Sequence, residues 1–393
     1  MNGESVVFLH LHDYMFPIPR IHVMAEYLAE LGFDVHVICC RDMDKHVERI
    51  NNVTIWDAAQ GLNYSKATTP QKLYLLKNIL SQRIEEISQA INPKIIQVSS
   101  PLLIPIATRI KEKTSAKLVY DCYEYWTGGA LAARKFHSAL IYEVIHRVYS
   151  NQIDGSIFVY MGNPTAKLFK NPIWITNLPK SCNIPLKPNV ELRKSIYSDE
   201  DFVIGYLGVI TGLKGYKTAI NCLKYLEENY KLLVVGKFGN KSIENEIVKH
   251  INNQKLESRV HITGYIPSFI ETLQYASIMD LGLMIADNTP WQRYTLPAKL
   301  IDYISLGIPV IASDIKSYNE FISRYQCGLL VPPKDTKKIA ESIRDLYKND
   351  LLRITLGKKG KEAFENSFSE KKQLYKLKTL YKCLIEDSRI SKH

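Results

Sequence analysis

The chain has 393 residues, long for a single hydrophobic core, so two domains are predicted. Its composition, 46% apolar, 23% charged and 10% aromatic, excludes disordered, collagen-like and low-complexity classes. The net charge of +11 lies mainly in the second half: residues 1–180 carry 19 basic and 16 acidic side chains, residues 181–393 carry 32 and 24. The last stretch, 357–393, holds 10 bases and 5 acids, which reads either as a solvated terminal helix or as a face for anionic lipid, a phosphorylated ligand or nucleic acid.

The seven cysteines are scattered and never in CxxC spacing, which argues against a disulfide framework and a zinc site and for a reducing, cytoplasmic setting. No apolar run reaches the roughly 18 residues of a membrane span. The opening MNGESVVFLHLHDY lacks a basic stretch before its short apolar run and reads as a first strand, not a signal peptide.

Short β-branched runs alternate with helical-period segments, the pattern of α/β domains whose parallel sheets are covered on both faces. In chain order the first half reads as strand SVVFLHL, helix 20–32, strand DVHVICC, helix 70–91, strand KIIQVS, helix 103–113, strand KLVYD, helix 136–150, strand GSIFVY and the segment PIWIT. Residues 178–200 contain three prolines and no sustained period, the signature of a linker. The second half reads as FVIGYLG, helix 216–229, KLLVVG, helix 241–253, RVHITG, helix 267–277, IMDLGLMI, helix 297–306, IPVIAS, helix 316–325, GLLVP and helices to the end.

The predicted organisation is a Rossmann-like domain over 1–178, a linker over 179–200, a second Rossmann-like domain over 201–370, and a final helix over 371–393 that could return toward the first domain. Open α/β sheets bind ligands at the carboxyl ends of their strands, so the expected site faces an interdomain cleft.

Four glycine-bearing turns follow strands in the second half: YLGVITGLKGY, VVGKFGN, ITGYIP and ISLGIPVIAS. In the first, Gly208, Gly212 and Gly215 permit close backbone approach and Lys214 lies just before a helix N-terminus, which suits a diphosphate. Glycines after parallel strands are also ordinary structural turns, and the segment is neither a Walker loop nor a dinucleotide fingerprint.

The stretch RYTLPAKLIDYISLGIPVIASD predicts a helix with Pro297 at its first turn, apolar almost all round except for a strip of Lys299, Asp302 and Ser305. Two readings stay open. Lys299 and Asp302 pair at i,i+3 on a solvent strip, or the helix N-terminus faces a phosphate while Asp302 accepts hydroxyls.

As an ordered set, GVITGLKG, VVG, VHITGYIPSFIETLQYASIMDLGLM, LPAKLIDYISLGIPVIASD and CGLLVPPKD resemble glycosyltransferase family 4, retaining enzymes of the GT-B fold, with ITNLP and VYDCYE as weaker echoes in the first half. The resemblance implies transfer of a sugar from a nucleotide-diphosphate donor, held mainly by the second domain, to an acceptor bound mainly by the first. It places Lys214 on the donor diphosphate as a catalytic cation and Asp302 on the nucleotide ribose. Gly208, Gly236 and the backbone of Leu296, Pro297 and Ala298 lie near the phosphates and sugar, and Lys299 supplies a second cation.

The chain departs from the family pattern at two donor positions. Tyr294 stands where a glutamate contacts the donor sugar, and Val209 where an arginine joins Lys214. Asp287 or Asn288 is the candidate to replace the lost glutamate.

In the first domain the glycine pair after strand one is absent; Ile18 and Pro19 stand there, and Arg20 is a candidate anion contact or a surface cap. Tyr123 sits where the family often has a histidine near the reacting sugar. Asp121 and Glu124 flank it, either as partners of substrate hydroxyls, and so catalytic candidates, or as solvated carboxylates at a capped strand end.

Three further features stay outside this pattern. Asp42-Met43-Asp44 forms a DxD, a metal motif of a different glycosyltransferase fold, but the two-domain architecture disfavours it and no metal is expected. His10, His12 and His36 read as satisfied core histidines. The helix 134–149, RKFHSALIYEVIHRVY, reads either as core-facing or as resting on an anionic membrane.

The function expected is a retaining, metal-independent glycosyltransferase without cofactor, moving sugar from a nucleotide-sugar to a glycan or lipid-linked acceptor in cell-surface polysaccharide biosynthesis. It would be cytoplasmic or peripheral on the inner face of the membrane, with no nucleic-acid partner. A catalytically degenerate scaffold subunit and a GT-B nucleotide-sugar epimerase are the alternatives.

Overall fold

The computed structural model describes residues 3–11, 19–40, 46–177, 183–210 and 214–390, leaving aside the side chains at 19, 214 and 388–390. The chain forms two compact units, Met1–Asn177 with Lys371–His393, and Leu178–Glu370.

The first unit is built on an eight-stranded sheet: β1 (Ser5–Leu9), β2 (Asp34–Cys39), β3 (Val47–Ile50), β4 (Val53–Asp57), β5 (Ile95–Val98), β6 (Lys117–Cys122), β7 (Gly155–Phe158) and β8 (Ile173–Trp174), in the order β3-β4-β2-β1-β5-β6-β7-β8. All pairs are parallel except β3 with β4. Val6, Val7, Phe8 and Leu9 are each at most 1% exposed, so β1 is covered on both faces and reads as an unbroken apolar run.

The β3–β4 hairpin lies outside the predicted elements. Asn51 and Asn52 both take positive φ, 47° and 64°, as a two-residue hairpin turn requires, and asparagine tolerates that conformation. The predicted helix 70–91 is one helical run interrupted by a π-turn at Leu76–Leu80.

The C-terminal helix Glu370–Ile390 is integrated into this first unit from Lys371 onward. Tyr381 donates to Gln97 Oε1 at 2.6 Å, the Thr176 N–H donates to Gln373 Oε1 at 3.0 Å, and Lys376 donates to the Trp174 carbonyl at 2.9 Å. At Gly155 a Cβ would lie 3.1 Å from Leu380, so the missing side chain lets this helix approach β7.

The second unit carries a fully parallel six-stranded sheet: β9 (Phe202–Leu207), β10 (Tyr230–Val235), β11 (Val260–Ile262), β12 (Leu281–Met284), β13 (Val310–Ser313) and β14 (Gly328–Val331), in the order β11-β10-β9-β12-β13-β14. Every residue of β9, β12 and β13 is buried. The stretch read as linker is not featureless: its described part contains a helix, Val190–Ile196, capped by Asn189. Arg193 pins that helix by donating to Asp280 at 2.9 Å and to the carbonyls of Ile278 and Asp201 at 2.6 and 2.8 Å. The helix expected over 216–229 is shorter, Lys214–Cys222, followed by a 3₁₀ turn at Leu223–Tyr225. Among the described residues no helix is long and apolar enough to cross a membrane.

Candidate functional site

In the second sheet β9 pairs with β10 on one side and β12 on the other, so the strand order reverses between β9 and β12. The crevice outside the carboxyl ends of those strands is where a doubly wound sheet accepts a ligand. Gly208 follows β9 with φ +116°, and Gly236 follows β10 with φ +150°. A Cβ on Gly236 would fall 2.2 Å from the Gly208 carbonyl oxygen, so these two turns touch backbone to backbone. Tyr216 donates to the same carbonyl at 2.9 Å, and single bridges join Ile210 to Phe238 and Gly236 to Gly264. The result is a floor of main chain along the sheet edge.

The helix Lys214–Cys222 starts against this floor. A Cβ on Gly215 would sit 3.0 Å from the Tyr206 hydroxyl and 3.2 Å from the Ile285 carbonyl, so glycine lets the helix approach the strand ends closely. Gly212 and the Lys214 side chain lie outside the described residues, as do His12, Ile18 and the Asp42-Met43-Asp44 motif.

The helix Ala298–Ser305 is held from beneath by Tyr303. Its ring covers Gly282, where a Cβ would come within 2.7 Å, and its hydroxyl accepts the Leu207 N–H at 2.9 Å while donating to the Gly205 carbonyl at 3.2 Å. Anchored to β9 in this way, the helix directs its N-terminus at the crevice. Pro297 is the N-cap, φ −68° and ψ 146°, and not the first helical residue as the sequence predicts. Proline offers neither an N–H nor a capping oxygen, so it leaves the N–H groups of Ala298 and Lys299 uncapped by its side chain. Leu296 is buried, so its side chain belongs to the core and its backbone alone is available to a ligand; Ala298 is exposed.

Lys299 and Asp302 are both half-buried. Lys299 lies over the Tyr206 ring, its ammonium 4.1 Å from the centroid, instead of pairing with Asp302. Tyr206 in turn stacks on Tyr216 with centroids 4.1 Å apart. Desolvation pushes the Lys299 pKa down to about 8 and the Asp302 pKa up to about 7.

The segments after β12, β13 and β14 supply basic side chains that the sequence reading missed. Arg293 donates to the Asn288 side-chain oxygen at 2.5 Å, Lys334 pairs with Asp287 at 3.5 Å, and the Lys316 ammonium sits 5.7 Å from the centroid of Tyr294. Both candidate stand-ins for the lost glutamate, Asp287 and Asn288, are thus held by cations of their own unit. Arg293, Lys316 and Lys334 follow the carboxyl ends of β12, β13 and β14, and collecting basic residues after parallel strands would find them. Val209 is 49% exposed beside Gly208.

In the first unit two expectations are corrected. Arg20 is 2% exposed and offers no free donor edge for a ligand anion. Its Nε and Nη2 engage Asp121 at 2.7–3.1 Å, and its Nη1 donates to the carbonyls of Ile175 and Thr176 at 2.9 and 2.8 Å. Asp121 is fully buried on β6 in this clasp, so it is neither a solvated carboxylate nor a partner for substrate hydroxyls. Glu124, two residues beyond β6, is exposed.

Tyr123 lines a cavity of about 180 Å³ with Trp126, Tyr142, Tyr64, Leu73 and Lys72. Its ring meets Trp126 edge-on at 5.3 Å, and Trp126 meets Tyr142 at 5.9 Å. His10, at the pocket wall, is buried and bonded to Ser99 Oγ at 2.8 Å, whereas His36 is half-buried and bonded to Asp34 at 2.9 Å. Among the described residues no group of three or more His, Cys, Asp or Glu is placed to hold a metal ion.

The architecture is shared with solved glycosyltransferases of the GT-B class. Sucrose-phosphate synthase from Thermosynechococcus elongatus superposes with a TM-score of 0.81 at 17% identity, covering 98% of this chain and 100% of that one. HepE from Anabaena, solved with UDP and glucose, superposes with a TM-score of 0.74 at 14% identity over 96% and 99%. Residues 189–363 match the family model of glycosyl transferases group 1. The capsular polysaccharide biosynthesis glycosyltransferase CapM of Staphylococcus aureus is 26% identical over 195 residues, 48% of each chain. The chain thus spans about half the length of the curated relatives it matches.

Proposed function

We propose that the protein is a retaining glycosyltransferase that moves a sugar from a nucleotide-diphosphate donor to a glycan or lipid-linked acceptor in cell-surface polysaccharide assembly. One observation carries the reading. At the strand-order reversal of the second sheet, a glycine-built main-chain floor, the start of one helix and the side-chain-uncapped N-terminus of another converge with Lys299. Uncapped N–H groups and a fixed cation stabilise negative charge, and a departing diphosphate gains that charge as the sugar leaves. Lys214 is proposed as the second cation and Asp302 as the acceptor of ribose hydroxyls.

In the step itself the anomeric carbon–oxygen bond to the diphosphate breaks and the acceptor oxygen bonds to the same carbon from the same face. The acceptor hydroxyl then lies beside the leaving oxygen, and its proton passes to the diphosphate. Tyr123 and the aromatic pocket around it are proposed to take acceptor, since flat aromatic walls suit the apolar faces of a sugar or a lipid. The diphosphate charge is balanced by lysines and the helix N-terminus, so transfer is proposed to need no divalent ion.

The test is release of nucleoside diphosphate from a panel of nucleotide-sugars with and without a lipid-linked glycan acceptor, in EDTA. Acceptor-stimulated release that Lys214→Ala abolishes supports the proposal. Donor conversion without acceptor, giving an isomerised sugar, supports an epimerase instead; neither release nor conversion supports a scaffold.

A further inference from the structure

The helix Phe136–Tyr149 is apolar on two faces. Ala139 and His146 turn inward and are buried, His146 bonding the Tyr120 hydroxyl at 2.9 Å. Facing solvent are Phe136, Leu140, Val144 and Val148, 65%, 65%, 49% and 64% exposed, with Ile141 at 46% beside them. A spacing of four residues aligns those side chains in one stripe about 18 Å long. A helix bathed only in water carries polar residues there. Of the two readings open from sequence, core packing accounts for the Ala139–His146 face and leaves the stripe uncovered.

Charge says what covers it. Arg134 and Lys135 are exposed just before the helix, and Arg147 is exposed in its last turn. The one acid of the helix, Glu143, is occupied by Arg147 at 2.7 Å, so the stripe is bordered by net positive charge. Tyr142 from the same helix turns into the aromatic pocket, whose rim residue Leu73 is 45% exposed. We propose that this helix docks on an anionic lipid bilayer, with Phe136, Leu140, Val144 and Val148 at the headgroup–acyl boundary and Arg134 and Lys135 against lipid phosphates. The docking would present the Tyr142 pocket to material held in the membrane. Only that last consequence rests on the proposed acceptor.

The experiment is co-sedimentation of the full chain, without nucleotide, with vesicles of phosphatidylcholine alone and of equal parts phosphatidylcholine and phosphatidylglycerol. Expected is binding to the anionic vesicles at least about tenfold above the neutral ones, weakened by salt. Leu140→Glu with Val144→Glu should lower it about tenfold or more, with melting temperature and nucleoside diphosphate binding unchanged. Should that pair perturb folding, Phe136→Ser and Val148→Ser serve as the second variant. Absence of binding to anionic vesicles, equal binding by wild type and stripe variants, or self-association through this face in place of vesicle binding would each overturn the proposal. Because no nucleotide is used, any of these leaves the donor-site reading standing.

Discussion

The Lys299 ammonium rests 4.1 Å from the centre of the Tyr206 ring, and through that contact the helix after β12 is tied to the strand that opens the second unit. A cation on an aromatic face keeps its charge available to a ligand, whereas a salt bridge to Asp302 would neutralise it. Replacing Lys299 by Met should weaken nucleoside diphosphate binding about tenfold, the loss of one charge-assisted contact. Tyr206→Leu should cause part of the same loss by releasing Lys299. Calorimetric titration measures both, and unchanged circular dichroism separates the effect from unfolding.

Binding should also depend on pH in a bell. Asp302, proposed to accept ribose hydroxyls as a carboxylate, is raised to about 7, so its ionised fraction grows from about a tenth at pH 6 to about nine-tenths at pH 8. Affinity should rise about sixfold from pH 6 to a maximum near pH 7.5, midway between the two groups, then fall as Lys299, lowered to about 8, loses its charge. Asp302→Asn should flatten the acid limb and leave the alkaline one. Stability moves oppositely at this residue. With the folded pKa above the ordinary 3.8, its contribution is present at low pH and lost as pH rises toward 7.

Gly236→Ala tests the main-chain floor. The new methyl would sit 2.2 Å from the Gly208 carbonyl oxygen at a φ of +150°, and backbone cannot yield as a flexible side chain does. Urea denaturation should show a loss on the order of 2 kcal/mol or more. Gly208→Ala meets no atom within 4 Å and carries only the backbone strain of φ +116°, so it should cost less.

The clasp between Arg20 and Asp121 is structural. Arg20→Met or Asp121→Leu alone leaves a buried charge unpaired and should cost about 3–5 kcal/mol, while the double replacement should recover much of it. Denaturation of the three variants measures this. A catalytic role for Asp121 would instead show as lost activity at unchanged stability.

Much of the fold is legible because doubly wound sheets bury both faces. Strands such as Val6–Leu9 and Val203–Leu207 are then apolar end to end, and the helices between them keep their period. The β3–β4 hairpin is not, since its edge strand alternates exposed and half-buried residues, although Asn51-Asn52 marks its turn. At the site, the glycine turns and the helix around Lys299 are readable from motif order. The partners of Arg20 are not, because Asp121 lies 101 residues away and nothing local announces it. The Tyr206–Lys299 contact and the basic side chains Arg293, Lys316 and Lys334 likewise depend on strand order, which places the ends of β9, β12, β13 and β14 along one edge.

The central claim is that the second unit holds a nucleoside diphosphate at the strand-order reversal, and thermal shift against a panel of nucleoside diphosphates and their sugars tests it most directly. A ligand that binds only the folded state raises the melting temperature by mass action. At least one base should shift the wild-type transition, and Lys299→Met combined with Asp302→Asn should reduce that shift strongly while leaving the unliganded protein folded. No shift with any member of the panel, or an undiminished shift in the double variant, would contradict the account.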